Sequence, residues 1–285
     1  MTSYNLIRFL REYAVLILIV LLMIALTIAS DAFFSPRNLL NILNQNAPLA
    51  IIAAALTLCI IAGGFDLSTA SIFGVASCAA AWIAVNIDPY LGLALAPIIG
   101  IILGYVNGVL ITSLGVHSFL ATIATSLIYR GLAILITGGF LIQVRMQEFI
   151  WLGRGKIYGI HFTVFILIIF TIIMTIILNR TTFGRNVFAV GGNEEAAKLS
   201  GIRVNLITIY TFALTGFAAG IAGAIQVSRI SLGQPQAGLG MELQAIAAVI
   251  LGGTSIYGGE GAVWRSVAGV MVLALINNGF NILNA

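Results

Sequence analysis

Long apolar runs separated by short polar interruptions dominate the chain. In order, they predict membrane spans over residues 13–30, 47–63, 70–85, 91–114, 119–136, 162–178, 206–227 and 262–283. Each is near the roughly twenty residues that carry a helix across the hydrocarbon core, and too long and even for the alternating strands of a membrane barrel. A further run, 243–251, is far too short to cross alone and has the length of a broken or re-entrant segment. The predicted fold class is all-α: a polytopic transmembrane helical bundle of about eight spans plus one broken segment, in a single domain over residues 1–285.

Polar punctuation between the runs is organised around glycine. Gly63-Gly64 precedes Phe65-Asp66-Leu67-Ser68, and Gly252-Gly253 precedes Thr254-Ser255. Later in each half comes an Asn-Gly piece, Asn107-Gly108 and Asn277-Asn278-Gly279. This pairing reads as a weak internal duplication, and paired helix interruptions point to a substrate path at a repeat interface. The alternative is that these glycines only let helices pack closely.

Between two apolar runs lies a polar island over residues 184–201, GRNVFAVGGNEEAAKLSG. Asn193 is a good N-cap, Glu194 and Glu195 sit at the positive end of the helix dipole, Lys198 falls in the last turn and Gly201 supplies a left-handed stop. A helix of about two turns over 193–201, held outside the membrane, is predicted. Such a rigid element suits exchange of force with a soluble partner, although a plain capped loop helix has the same signature.

Composition narrows the class. Apolar residues make up 60% and charged residues 8%, against about a quarter charged in soluble domains, so the chain is an integral membrane protein. The first run follows Arg8 and Arg11 but is long and lacks a small-residue cleavage pattern, so it is read as a retained span. The net charge of +4 is spread over loops and speaks to orientation, not to nucleic acid. With the N-terminus inside, Arg180, Arg185, Lys198 and Arg203 also fall inside, whereas Arg145, Arg154 and Lys156 fall outside. Cys59 and Cys78 both lie in apolar runs and indicate neither a disulfide framework nor a metal site.

Few residues could carry chemistry. Asp66 sits in a Gly-interrupted gap, where leaving it unpaired would cost several kcal/mol. Freed backbone N–H groups, Ser68, Thr69 or Arg130 could satisfy it, in either a capping or a path-lining role. Arg130 lies in an otherwise apolar span and must face the bundle interior or water. His117 and His161 lie in connections and read as capping or solvated. There is no metal-ligand spacing and no Gly-Lys-Ser/Thr phosphate loop, so no metal is expected and the chain does not hydrolyse ATP by itself.

Taken together, GRNVFAVGGNEEAAKLSGI, ILGGTSIYGGEGAV, INNGFNIL and IIAGGFDLS closely resemble the membrane permease subunits of ribose-type ATP-binding cassette importers, from about Pro36 to the end. The resemblance implies a multi-pass subunit of the bacterial inner membrane. Its partners would be a second permease subunit, identical or homologous, an ATP-binding subunit and a periplasmic solute-binding protein. Cofactors would be ATP and Mg on the ATPase, none on this chain. It makes the loop 180–204, through Gly191, Gly192, Asn193, Glu194, Glu195, Ala196, Lys198 and Gly201, the element that couples to the ATPase. The translocation path would then involve Gly63, Gly64, Asp66, Ser68, Asn107, Arg130, Gly252, Gly253, Asn277 and Asn278. A neutral sugar needs only hydroxyl and amide partners such as Asn107, Gln244, Asn277 and Asn278. Family members usually continue through a further apolar span, so a C-terminal truncation is expected. The competing function is an ion-coupled secondary transporter using Asp66 as its cation or proton site; an intramembrane enzyme lacks a nucleophile–base pair or metal set.

Overall fold

The computed structural model describes residues 3–283. The first half runs through α1 (Ser3–Ala29), α2 (Pro36–Ile61), α3 (Thr69–Asn86), α4 (Pro89–Leu114) and α5 (Ser118–Thr137). A connection follows with β1 (Ile142–Gln143), α6 (Gln147–Arg154), β2 (Lys156–Ile157) and β3 (Ile160–His161). The second half comprises α7 (Phe162–Arg180), α8 (Thr182–Gly192), α9 (Glu194–Leu199), α10 (Val204–Ile230), β4 (Leu232–Gly233), α11 (Met241–Leu251) and α12 (Val263–Leu283). Among the described residues, seven helices are long and apolar enough to cross a membrane: α2, α3, α4, α5, α7, α10 and α12. The apolar part of α1 adds Tyr13–Ala29.

The centre of the bundle is α2, whose every residue from Ala47 to Ile61 is buried, as expected of a helix apolar on all sides. The outer helices turn large apolar side chains outward, among them Leu127 and Leu135 on α5. Between α4 and α10 the packing is backbone to backbone. A Cβ on Gly100 would strike the Gly216 carbonyl, and one on Gly104 the Phe212 carbonyl. Lipid offers no hydrophobic drive between helices, so close approach over small residues supplies the packing energy.

Three expectations change in detail. First, α2 begins at Pro36, well before the expected residue 47, with Ser35 accepting the Asn38 N–H at 3.3 Å as its N-cap and Pro36 in the first turn. Its polar opening, rich in asparagine, masked those turns. Second, the polar island holds two helices, not one: α8 precedes α9, and Asn193 both ends the former and caps the latter.

Third, the short apolar run is half of a broken crossing. After α10 the chain reverses at Ser231, which has φ of 61°, and β4 pairs antiparallel with β1. It then passes along α3 through successive turns over residues 235–240, with Gly233 against Ala81 and Gly238 against Phe73, before α11 completes the passage.

Two ends of the bundle are thereby defined. One carries α8 and α9, together with the C-terminus of α2 and residues 255–261. There the Gly259 N–H donates to the Ile61 carbonyl at 2.9 Å, and Gly191 lies so close that a Cβ would overlap that carbonyl. The other carries α6 and the β2–β3 hairpin, with Gly153 N–H donating to Ser228 Oγ at 2.7 Å.

Candidate functional site

The break after α2 is a Schellman ending. Gly63, at φ of 86°, donates to the Ile60 carbonyl and Gly64 to that of Cys59, both at 2.9 Å. After α11, Gly253 at φ of 81° donates to Ile250 and Thr254 to Val249 in the same pattern. Gly63 thus corresponds to Gly253, and the two Gly-Gly pairs are offset by one residue. Both left-handed positions favour glycine because a Cβ there meets its own carbonyl.

Within the first break, Asp66 is fully buried and fully engaged. Its carboxylate accepts the Ser68 N–H at 2.9 Å, the Ser68 hydroxyl at 2.6 Å and the Thr215 hydroxyl at 2.6 Å. Ser68 Oγ in turn accepts from Asn107 Nδ2 at 2.6 Å, and the Tyr129 hydroxyl donates towards Asn107 Oδ1 at 2.9 Å. The break is thereby tied to α4, α5 and α10. Two further hydroxyls on α5 hold its backbone: Ser118 takes the Phe65 N–H at 3.0 Å and Thr122 that of Leu67 at 3.1 Å. Of the expected partners of Asp66, Ser68 is one; the Thr69 hydroxyl reaches only the Asp66 carbonyl, at 3.5 Å.

Arg130 does not pair with Asp66. Its guanidinium donates to the carbonyls of Pro235 at 2.5 Å and Ala237 at 2.9 Å, with a longer contact to Ala70 at 3.4 Å. Those carbonyls belong to the non-helical, turn-rich half of the broken crossing, residues 235–240. Non-helical backbone at membrane depth needs partners from protein, and Arg130 supplies them.

At the α9 end, Asn193 Oδ1 accepts the Ala196 N–H at 2.9 Å and Gly201 stops the chain at φ of 83°. Ala197 is buried and anchors the helix, while Glu194, Glu195 and Lys198 face water and Leu199 is 90% exposed. Beside it opens a cavity of about 440 Å³ whose wall includes Gly63, Gly64, His117, Glu194, Lys198 and Thr211. His117 caps α5, its Nδ1 accepting the Phe119 N–H at 3.3 Å.

A second cavity, of about 660 Å³, opens at the α6 end between the first turns of α2, the last turns of α12 and the end of α10. Asn277 and Asn278 line it, and Asn278 exchanges amide hydrogen bonds with Asn38 at 3.1 Å in both directions. Asn107 lies elsewhere, in the buried network, so the two Asn-Gly pieces do not meet. His161 stands in the cavity wall, where burial, with Lys156 and Arg229 adding to it, pushes the imidazole below its usual pKa. Among the described residues no cluster of histidine, cysteine, aspartate and glutamate could hold a metal, and Cys59 and Cys78 are buried and free. Sequence reasoning missed Thr215, Asn41, Gln45 and Arg229. The asparagines were legible in principle as amides spaced on one helix face; Thr215 lies too far along the chain from Asp66 to be seen.

The chain matches the family model described as branched-chain amino acid transport system / permease component over residues 38–285. It is 36% identical to the ribose import permease protein RbsC of Haemophilus influenzae, over 99% of this chain and 89% of that protein. Identity is 38% to the ribose import permease protein RbsC of Escherichia coli K12, over 96% and 87%. It is 35% to the L-arabinose transport system permease protein AraH of the same strain, over 99% and 87%. No solved structure matches. A helical bundle of membrane-crossing length, near-full-length likeness to bacterial permeases and a family match over most of the sequence agree: the chain belongs to this permease-component family, as a multi-pass transport subunit of the bacterial inner membrane similar to the ribose-type permeases.

Proposed function

We propose that the chain is the permease subunit of an ATP-driven importer that moves a monosaccharide from periplasm to cytoplasm by alternating access. The observation that carries this is α9: a six-residue helix capped at one end by Asn193 and stopped at the other by Gly201. It is seated by Ala197 and presents Glu195 and Leu199 to water. Ordering an isolated turn and a half costs more than its own hydrogen bonds return, so a rigid, protruding helix of this length suits a docking role. An ATPase subunit would receive α9, with ATP and Mg bound there, and its closure would push α8 and α9 against the C-terminus of α2 and the 255–261 loop. A solute-binding protein would deliver from the α6 end, and a second permease subunit would complete the pair. The relatives named for ribose, arabinose and allose support a monosaccharide cargo.

The competing reading, coupling to an ion at Asp66, is favoured by a buried carboxylate at a helix break. Against it, both carboxylate oxygens are already taken by Ser68 and Thr215. Co-purification tests the proposal: the tagged chain, expressed with its neighbouring gene products, should retain a P-loop ATPase, and Glu194→Lys with Glu195→Lys should release it while the permease stays in the membrane. Retention of the ATPase by that double variant would overturn the docking assignment.

A further inference from the structure

The cavity at the α6 end is built from carboxamides. Asn41 and Gln45 stand one turn apart on α2, and Asn277 and Asn281 one turn apart on α12, so each pair shares a helix face. None of these four makes a side-chain hydrogen bond within the described protein, whereas their neighbours are committed. Asn44 accepts from Thr163, Asn46 donates to the Ile42 carbonyl, and Asn278 is paired with Asn38. Two wall arginines are also engaged: Arg229 donates to the Asn44 carbonyl at 2.9 Å and to Gln226 at 2.6 Å, and Arg154 Nε to the Arg229 carbonyl at 2.7 Å. Among the described residues that line the space there is no carboxylate and no Phe, Tyr or Trp; its one ring is the imidazole of His161, whose buried Nδ1 has no partner.

We propose that this cavity is an entry station for a neutral monosaccharide, in which Asn41, Gln45, Asn277 and Asn281 exchange hydrogen bonds with its hydroxyls. The inference rests on the permease reading above and adds the place and the residues. Each carboxamide offers two donors and an acceptor, which matches a hydroxyl that does both. A volume of about 660 Å³ falls within the roughly 300–1,000 Å³ of small-molecule sites. Absence of a carboxylate from the wall disfavours cations. The guanidinium of Arg229, spent on Asn44 and Gln226, is held in place and leaves the amides to select. Several rotatable amides bind weakly, as a station on a path must: each ordered side chain costs about 0.5–1.5 kcal/mol on association.

Protection from alkylation tests it on the full chain assembled with its partners in membrane vesicles. Asn277→Cys places a thiol in the wall, while Cys59 and Cys78 are buried and stay silent towards a membrane-impermeant maleimide. Ribose, L-arabinose or D-allose, supplied at twice its dissociation constant, should slow labelling about threefold. Sodium phosphate or chloride of equal osmolarity should not. Tyr158→Cys, at a fully exposed position in the turn between β2 and β3 at the same end of the bundle, should label equally fast throughout. Equal labelling of Asn277→Cys with and without every sugar overturns the proposal, as does protection by phosphate alone, which would mark an anion site. Should Asn277→Cys fail to reach the membrane, Asn281→Cys carries the same readout. ATP-dependent uptake by the unaltered complex separates the two levels. Uptake without protection overturns the station and leaves the permease; no uptake of any of the three sugars removes the reading on which the station rests.

Discussion

Asp66 shows how a carboxylate can lie in a membrane bundle without an ion pair. Three charge-assisted hydrogen bonds, from the Ser68 N–H, the Ser68 hydroxyl and the Thr215 hydroxyl, replace its hydration. Asp66→Asn keeps one oxygen for Ser68 and turns an NH₂ towards Thr215, whose proton can be given instead to the Phe212 carbonyl at 2.8 Å. Uptake should therefore persist in Asp66→Asn. Asp66→Leu strands the Ser68 hydroxyl and the Ser68 N–H, at about 1–3 kcal/mol each, and should lower membrane abundance. Loss of uptake in Asp66→Asn at normal abundance would instead identify an ion site. Arg130 is predicted to behave as a clamp: Arg130→Leu frees the Pro235 and Ala237 carbonyls and should expose the turn segment over 235–240 to proteolysis, with Arg130→Lys intermediate. His161 has its pKa depressed in the fold by burial, Lys156 and Arg229, so its contribution to stability is present above the unfolded value near 6.5 and is lost as pH falls through the folded one. Thermal unfolding of the protein in detergent should show a drop on acidification below about pH 6.5 that His161→Asn flattens.

At the scale of elements, the local signals were the legible ones. Asn193 and Gly201 bound α9 where capping chemistry puts them, because an N-cap and a left-handed stop act within a few residues. α8 was hidden. Its N-cap, the Thr181 hydroxyl accepting the Gly184 N–H at 3.1 Å, precedes a glycine-bearing stretch of low helix propensity, and what orders it is burial of Val187 and Val190 against the bundle. The opening of α2 was hidden for the opposite reason: Asn41, Asn44 and Gln45 look like loop but line a water-accessible cavity. Ala197→Pro should break α9, since it removes the Ala197 N–H bond to the Asn193 carbonyl at 3.0 Å and costs about 3 kcal/mol. Its expected outcome is uncoupling: ATPase activity of the complex no longer stimulated by loaded binding protein, with the permease still in the membrane. At the paired helix endings, Gly63→Leu and Gly253→Leu force side chains into the left-handed region and should impair uptake and abundance together.

For the whole molecule, hydropathy alone predicted eight long runs and one short one; seven of the eight are helices long and apolar enough to cross a membrane, because span length is dictated by bilayer thickness, while Tyr13–Ala29 of α1 and Met241–Leu251 are shorter apolar helices. What periodicity could not convey was long-range pairing: Thr215 reaching Asp66, Arg130 reaching Pro235, and β1 reaching β4 all join residues far apart in sequence. These links tie the first break and the broken crossing to the bundle. On the proposed function, transport is driven by ATP on a partner and not by an ion gradient. Uptake of labelled ribose, L-arabinose or D-allose into proteoliposomes holding the chain with its ATPase and binding protein decides it. Accumulation should require ATP on the ATPase side together with the binding protein, and should be absent under an imposed proton or sodium gradient without ATP; accumulation driven by such a gradient in the chain alone would contradict it.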